Sequence, residues 1–326
     1  MKMYPFKLRA VPKSILWGGD KLKKLYNKKA SFEKIAESWE LTVRDDGMSV
    51  IENGEFSNIT LSSVIENYPH IMGTDLCGSR FPLLIKLIDA ADDLSIQVHP
   101  SNEYASLYEK DSGKCEMWYI LEADEGAEII YGVRPDTDEK SLHRAITDSA
   151  FDGILEHIKV SKGEVYFIPA GQIHALCRGT LIAEIQQNSN ITYRIYDYDR
   201  KDKDGKKREL HIKKALDTVK CYSSADIGKR QFSSSTDRRK APNGWRTLAD
   251  CDYFRVSAID SQKGEELTFT IDESAFASLL FTYADDAKLK AEDFEIAVMT
   301  GDSFFIPAGI GKLTLSGSFS VILSEP

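Results

Sequence analysis

The sequence predicts a mainly β fold, made of two related β-domains with small helical insertions. Two observations carry this reading. Short apolar runs bounded by Gly, Pro, Asn and Asp dominate the chain, the pattern of sandwiches and barrels. A short segment also occurs twice. Residues 163–174 read GEVYFIPAGQIH and residues 301–312 read GDSFFIPAGIGK, with Gly, Pro and Gly recurring at an offset of 138 residues. A turn glycine, a strand and a Pro-x-Gly turn are thus used twice.

The strand candidates run in order through FPLLIKLI (81–88), LSIQV (94–98), EMWYIL (116–121), VYFIP (165–169) and LIAEIQ (181–186). They continue with LTFTI (267–271), SLLFTY (278–283), SFFIP (303–307) and FSVIL (319–323). Helical patterns are fewer. Residues 101–110 follow Pro100 and read as a short helix capped by Ser101. Residues 137–157 hold one or two amphipathic helices, and 209–220 another, with Leu210, Ala215, Leu216 and Val219 available for packing. The stretch 222–244, rich in Ser and holding Pro242 and Asn243-Gly244, reads as the boundary. It divides the chain into 1–240 and 241–326.

Composition narrows the function. The chain has 326 residues, 42% hydrophobic and 29% charged, which suits a globular protein with two cores. No apolar run approaches the ~20 residues that span a bilayer. The start, MKMYPFKLRAVPKS, lacks the apolar region of a secretory signal. Five scattered cysteines without a CxxC pair point to a reducing compartment, the cytoplasm. A net charge of −9 disfavours nonspecific nucleic-acid binding. No membrane or nucleic-acid partner is expected.

One constellation carries chemistry. On a strand through LSIQVHP, Leu94, Ile96 and Val98 share one face while Ser95, Gln97 and His99 share the other. Glu116 opens the next strand, and His174 follows the first Pro-x-Gly turn. Gln97, His99, Glu116 and His174 offer two imidazole nitrogens and two oxygens, suited to one divalent metal, zinc first. Spacing alone leaves Fe, Mn and Ni open. In the second copy of the repeat Lys312 replaces His174, and all six histidines (70, 99, 143, 157, 174, 211) precede residue 212. The second domain is therefore expected to bind no metal. Lys86 sits inside an apolar strand and either reaches a pocket or snorkels to the surface. Glu184 is a candidate base, a partner of the site or a structural ion pair. Trp17 and Trp39 are core candidates. The basic run 200–208 reads as a solvated turn, with a lid or electrostatic funnel as the alternative.

These residues resemble the type I mannose-6-phosphate isomerases in their shorter bacterial form. The matching stretches are VPKSILWGGDKL (11–22), AESWELTV (36–43), FPLLIKLIDAADDLSIQVHP (81–100), GKCEMWYIL (113–121), GEVYFIPAGQIHAL (163–176) and ITYRIYDYDR (191–200). The resemblance implies two cupin-type jelly rolls, the second degenerate, and interconversion of mannose 6-phosphate and fructose 6-phosphate through an enediol. It places the zinc ligands on Gln97, His99, Glu116 and His174. It also implies catalytic roles for Arg194, Lys114 and Lys86, and substrate contacts from Ser95, Lys114 and Arg194. Two departures stand out. Gly113-Lys114-Cys115-Glu116 replaces a fuller Asn-His-Lys-Pro-Glu run, and Asn188, Ser189 and Asn190 stand where relatives carry an acid before the arginine. The proton-transfer base is thereby left unassigned. A metal-dependent cupin oxygenase and a non-catalytic sugar-binding or regulatory cupin are the alternatives. Gln97 together with Lys114 and Arg194 favours the isomerase.

Overall fold

The computed structural model describes residues 2–201, 204–227, 242, 244–262 and 264–326. Three antiparallel sheets organise them. The first runs Val165–Ile168, Glu116–Ala123, Thr180–Gln187, Leu83–Ala90, Glu37–Leu41, Val11–Lys13. The second runs Leu155–Lys159, Glu128–Val133, His174–Leu176, Ile96–Val98, Tyr193–Tyr196. These two face one another as a jelly roll: the Trp118 ring on the first meets the His174 ring on the second edge-on, at 5.5 Å between centroids. Helices Glu139–Asp148 and Ile212–Thr218 cover the outer face of the second sheet, where Ile96, Val98, Ala175 and Ile195 pack beneath Leu142, Ile146 and Ala215.

The third sheet has nine strands among the described residues and forms the second barrel. Its interior is a separate apolar cluster that includes Phe281, Phe304, Ile306 and Phe319. Its other side shares a core with the first sheet, through Phe305, Leu280 and Ile322 against Leu83, Ile85 and Leu87. This sheet draws strands from both sides of the expected division near residue 240. Phe6–Arg9 pairs with Ser303–Ile306, Phe6 opposite Phe305. Buried Glu40 fastens the same junction, accepting from Lys28 at 2.6 Å and from Ser303 at 3.0 Å.

Local readings meet mixed outcomes. Helix Asn102–Tyr108 starts as expected, with the Ser101 hydroxyl accepting from the Tyr104 N–H. The 137–157 pattern yields one helix, Glu139–Asp148, and then the edge strand Leu155–Lys159. Pairing with Glu128–Val133 overrides the helical periodicity there. Leu210 is exposed rather than packed, because it precedes helix Ile212–Thr218. Strand Ile96–Val98 begins one residue after Ser95. Most of the 222–244 stretch lies outside the described residues, although helix Ser224–Ile227 falls within it. No helix of the described residues is long and apolar enough to cross a membrane.

Candidate metal centre and active site

Residues paired directly across antiparallel strands point to the same face. Gln97 pairs with His174 on one side and Arg194 on the other. Their neighbours Ile96, Val98, Ala175 and Ile195 belong to the outer cluster, so Gln97, His174 and Arg194 form a row on the inner face. His99, two residues beyond Gln97, joins it. On the facing sheet Trp39, Lys86, Glu184 and Trp118 make a second inner row, and Glu116 pairs with Gln186 beside it. The jelly-roll interior is therefore polar and charged.

The donor atoms converge. His99 Nδ1 lies 2.9 Å from the Ile191 carbonyl, and His174 Nδ1 lies 2.9 Å from the Gln172 carbonyl. In that arrangement each ring donates through Nδ1 and keeps a lone pair on Nε2. The two Nε2 atoms are 3.1 Å apart. Glu116 Oε1 is 3.4 Å from His174 Nε2, and Oε2 is 3.5 Å from His99 Nε2. Both carboxylate oxygens are buried without a hydrogen bond. Lone pairs at this spacing repel unless a cation lies among them. The ligand atoms of His99, Glu116 and His174 all fall within 4.8 Å, and a metal ion fits this set. Burial keeps the imidazoles neutral. His99 is pushed well below its ordinary value by burial and then by Lys114, and burial takes His174 down to about 4. Burial, helped by Glu184, raises Glu116 to about 7.

Lys114 lies within this set. Its Nζ is 3.1 Å from His99 Nε2 and 2.7 Å from Glu116 Oε2, the latter off the axis of a hydrogen bond. It is 4% exposed, so this lysine beside a strand end is buried and not solvated. Lys86 is equally buried and does not snorkel. It faces Glu184 at 3.1 Å and Glu37 at 3.7 Å. Burial alone would lower its pKa; those carboxylates outweigh burial and raise it. Glu184 also accepts from Trp118 Nε1 at 3.2 Å. Burial opposes its charge, but Lys114 and Lys86 prevail and hold it near 2.

Arg194 is half-buried. Its Nη1 donates to the Glu209 carbonyl at 2.9 Å, while Nε is buried without a partner. The aspartates nearest it in sequence are taken by other cations: Asp197 accepts from Arg200 at 2.6 Å and Arg208 at 2.8 Å, and Asp199 accepts from Lys207. The described part of the 200–208 run is thus folded back onto Asp197 and Asp199; residues 202 and 203 lie outside the described residues. Ser95 is buried just ahead of strand Ile96–Val98; Trp17 is buried in the apolar core, and Trp39 is buried on the inner row with Lys86 Nζ 5.4 Å from its ring centroid. Two inner-face residues escaped the sequence reading, Trp118 and Gln186. Each stands two residues from a carboxylate already singled out, Glu116 and Glu184, and strand alternation alone could have found them.

Two family models match the chain: phosphomannose isomerase type I, catalytic domain, over residues 5–131, and mannose-6-phosphate isomerase, cupin domain, over residues 245–326. The mannose-6-phosphate isomerase ManA of Bacillus subtilis is 34% identical over 326 residues, covering 100% of both chains. The chain belongs to the type I mannose-6-phosphate isomerases. The mannose-6-phosphate isomerase of Streptococcus mutans is 40% identical over 312 residues, 95% of this chain and 94% of the relative. The crystal structure of the Bacillus subtilis mannose 6-phosphate isomerase superposes with a TM-score of 0.87 at 34% identity, covering 99% of each chain. Membership in the mannose-6-phosphate isomerases agrees with the two-barrel cupin architecture. His174, Glu184 and Arg194 fall between the two stretches that the family models match.

Proposed function

We propose that the protein interconverts mannose 6-phosphate and fructose 6-phosphate, with one zinc ion per chain held by Gln97, His99, Glu116 and His174. The convergence of the His99 and His174 Nε2 atoms on the buried Glu116 carboxylate, with the Lys114 ammonium 2.7 Å from its Oε2, carries this reading. A metal bound there polarises or fixes substrate oxygens and so eases proton transfer between adjacent carbons.

The chain's own residues supply the rest. Lys114 presents N–H donors and no acceptor, so it stabilises negative charge on a substrate oxygen as the enediol forms. Arg194, on the row of Gln97 and His174, binds the phosphate with donors its carbonyl contact leaves over. Ser95, buried two residues before Gln97, adds a hydroxyl for the substrate. Remote phosphate binding then orients the reacting carbons. Lys86 acts electrostatically, through the carboxylate of Glu184 that it holds. Residues 1–240 carry the site, and 241–326, joined by Phe6–Arg9 and Val50–Ile51, form the structural barrel. Five free cysteines suit the cytoplasm.

A coupled assay with mannose 6-phosphate and metal analysis test this together. Turnover with about one zinc per chain, lost on chelation and restored by zinc, is expected. Metal-loaded protein without turnover overturns it.

A further inference from the structure

Lys114 lies on an irregular segment, between helix Asn102–Tyr108 and strand Glu116–Ala123, yet its side chain is buried to within 3.1 Å of His99. Something must fix that segment. The backbone N–H groups of its last three residues are each tied. Gly113 N–H donates to Asn102 Oδ1 at 2.8 Å, Lys114 N–H to the Pro100 carbonyl at 3.0 Å, and Cys115 N–H to Gln187 Oε1 at 2.9 Å. Gln187 Nε2 donates to Asn102 Oδ1 at 3.1 Å, so the two carboxamides brace one another. The Gln187 N–H returns a bond to the Cys115 carbonyl at 3.1 Å. Contact is close: a Cβ on Gly113 would come within 2.5 Å of the Asn102 nitrogen.

We propose that Asn102 and Gln187 are positioning residues that set Lys114 against the metal-type ligands; this rests on the role given to Lys114 above. The anchors are well chosen for that. Pro100 follows His99 directly and Asn102 lies three residues beyond it, and Gln187 follows Gln186, the strand partner of Glu116. The clamp therefore refers Lys114 to the segment that follows His99 and to strand Thr180–Gln187, which pairs with Glu116. Both carboxamides use side-chain oxygens as acceptors, and Gln187 alone must donate. An acid at Asn102 keeps both acceptor roles, whereas an apolar side chain at either position orphans a backbone N–H.

Zinc-loaded wild type, Gln187→Met, Asn102→Ala and Asn102→Asp are compared by steady-state kinetics, metal content, thermal midpoint and hydrogen exchange at Gly113–Cys115. Displacing a positioned group by about 1 Å costs up to ~100-fold. Gln187→Met and Asn102→Ala are expected to lower kcat about 10- to 100-fold with KM within about 3-fold, unchanged zinc content and faster exchange at Gly113–Cys115. Asn102→Asp should recover most of kcat. In a Lys114→Met background, Gln187→Met should cost less than about 2-fold, because the group it positions is gone. Near-normal kcat in Gln187→Met, a fully additive double variant, or losses that track zinc content or thermal midpoint alone overturn the clamp. Full turnover in Lys114→Met overturns the role of Lys114 itself, and the clamp falls with it.

Discussion

The two copies of the FIPAG segment share a backbone and differ in what they enclose. Gly163 and Gly301 have φ of +89° and +90°, and Gly171 and Gly309 have +90° and +72°, angles that glycine adopts without strain. Phe167 and Phe305, Ile168 and Ile306 are buried alike. Then the copies part. His174 is wholly buried, whereas Lys312 is exposed at the start of strand Gly311–Glu325. Around His174 the interior holds His99, Lys114, Glu116, Lys86 and Glu184; in the second barrel it holds Phe281, Phe304, Phe319, Leu289 and Leu315. One barrel accepts the cost of burying charge. The other fills the same frame with apolar side chains and gains stability from their burial. The motif thus specifies a turn geometry, and the inward residues decide whether chemistry follows.

That contrast can be broken most severely at its centre. His174→Ala should abolish metal binding and turnover together, read by metal analysis and the isomerase assay; full metal content would sink the ligand assignment. Next, Arg194→Ala should lower kcat/KM by about 10²–10³-fold with metal retained, and Arg194→Lys should recover only part of it. A near-normal kcat/KM in the alanine variant would remove Arg194 from the site. In the apolar barrel the currency is stability: Phe304→Ala should cost about 3–5 kcal/mol in denaturant unfolding while metal per folded chain stays constant. The smallest effect belongs to Lys312→His. It should bind no metal and change stability by less than about 0.5 kcal/mol, because the side chain is exposed, the cluster inside its barrel is apolar, and the metal-type group found among the described residues lies in the first barrel. Metal uptake by that variant would show that the turn motif alone makes a site.

Much of this contrast was legible beforehand. Strand alternation placed Gln97 and His99 on one face, and the repeat paired His174 with Lys312. Local chemistry misled where tertiary context decides. A lone lysine beside a loop reads as solvated, yet Lys114 is drawn inward by three backbone bonds to residues 100, 102 and 187. Residues 155–157 follow a helical period but serve as an edge strand, since Glu128–Val133 offers hydrogen bonds that a local pattern does not reveal. The Asn102–Gln187 brace is invisible in sequence for the same reason: 85 residues separate its two amides.

The pairing of Phe6–Arg9 with Ser303–Ile306 also bears on how the molecule is made. Phe6 leaves the ribosome roughly 300 residues ahead of Phe305, which at about 5–20 residues per second is about 15–60 s. Through that interval the strand carrying Phe6 and Leu8 has only the two-residue strand Val50–Ile51 to pair with, and its other edge waits. The second barrel in turn cannot close its edge at Ser303–Ile306 until the waiting segment returns. Such long-range closure is slow, and it leaves apolar surface open to other chains meanwhile. Synthesis rate and chaperone supply therefore act on this enzyme through its earliest strand, far from the residues that do its chemistry.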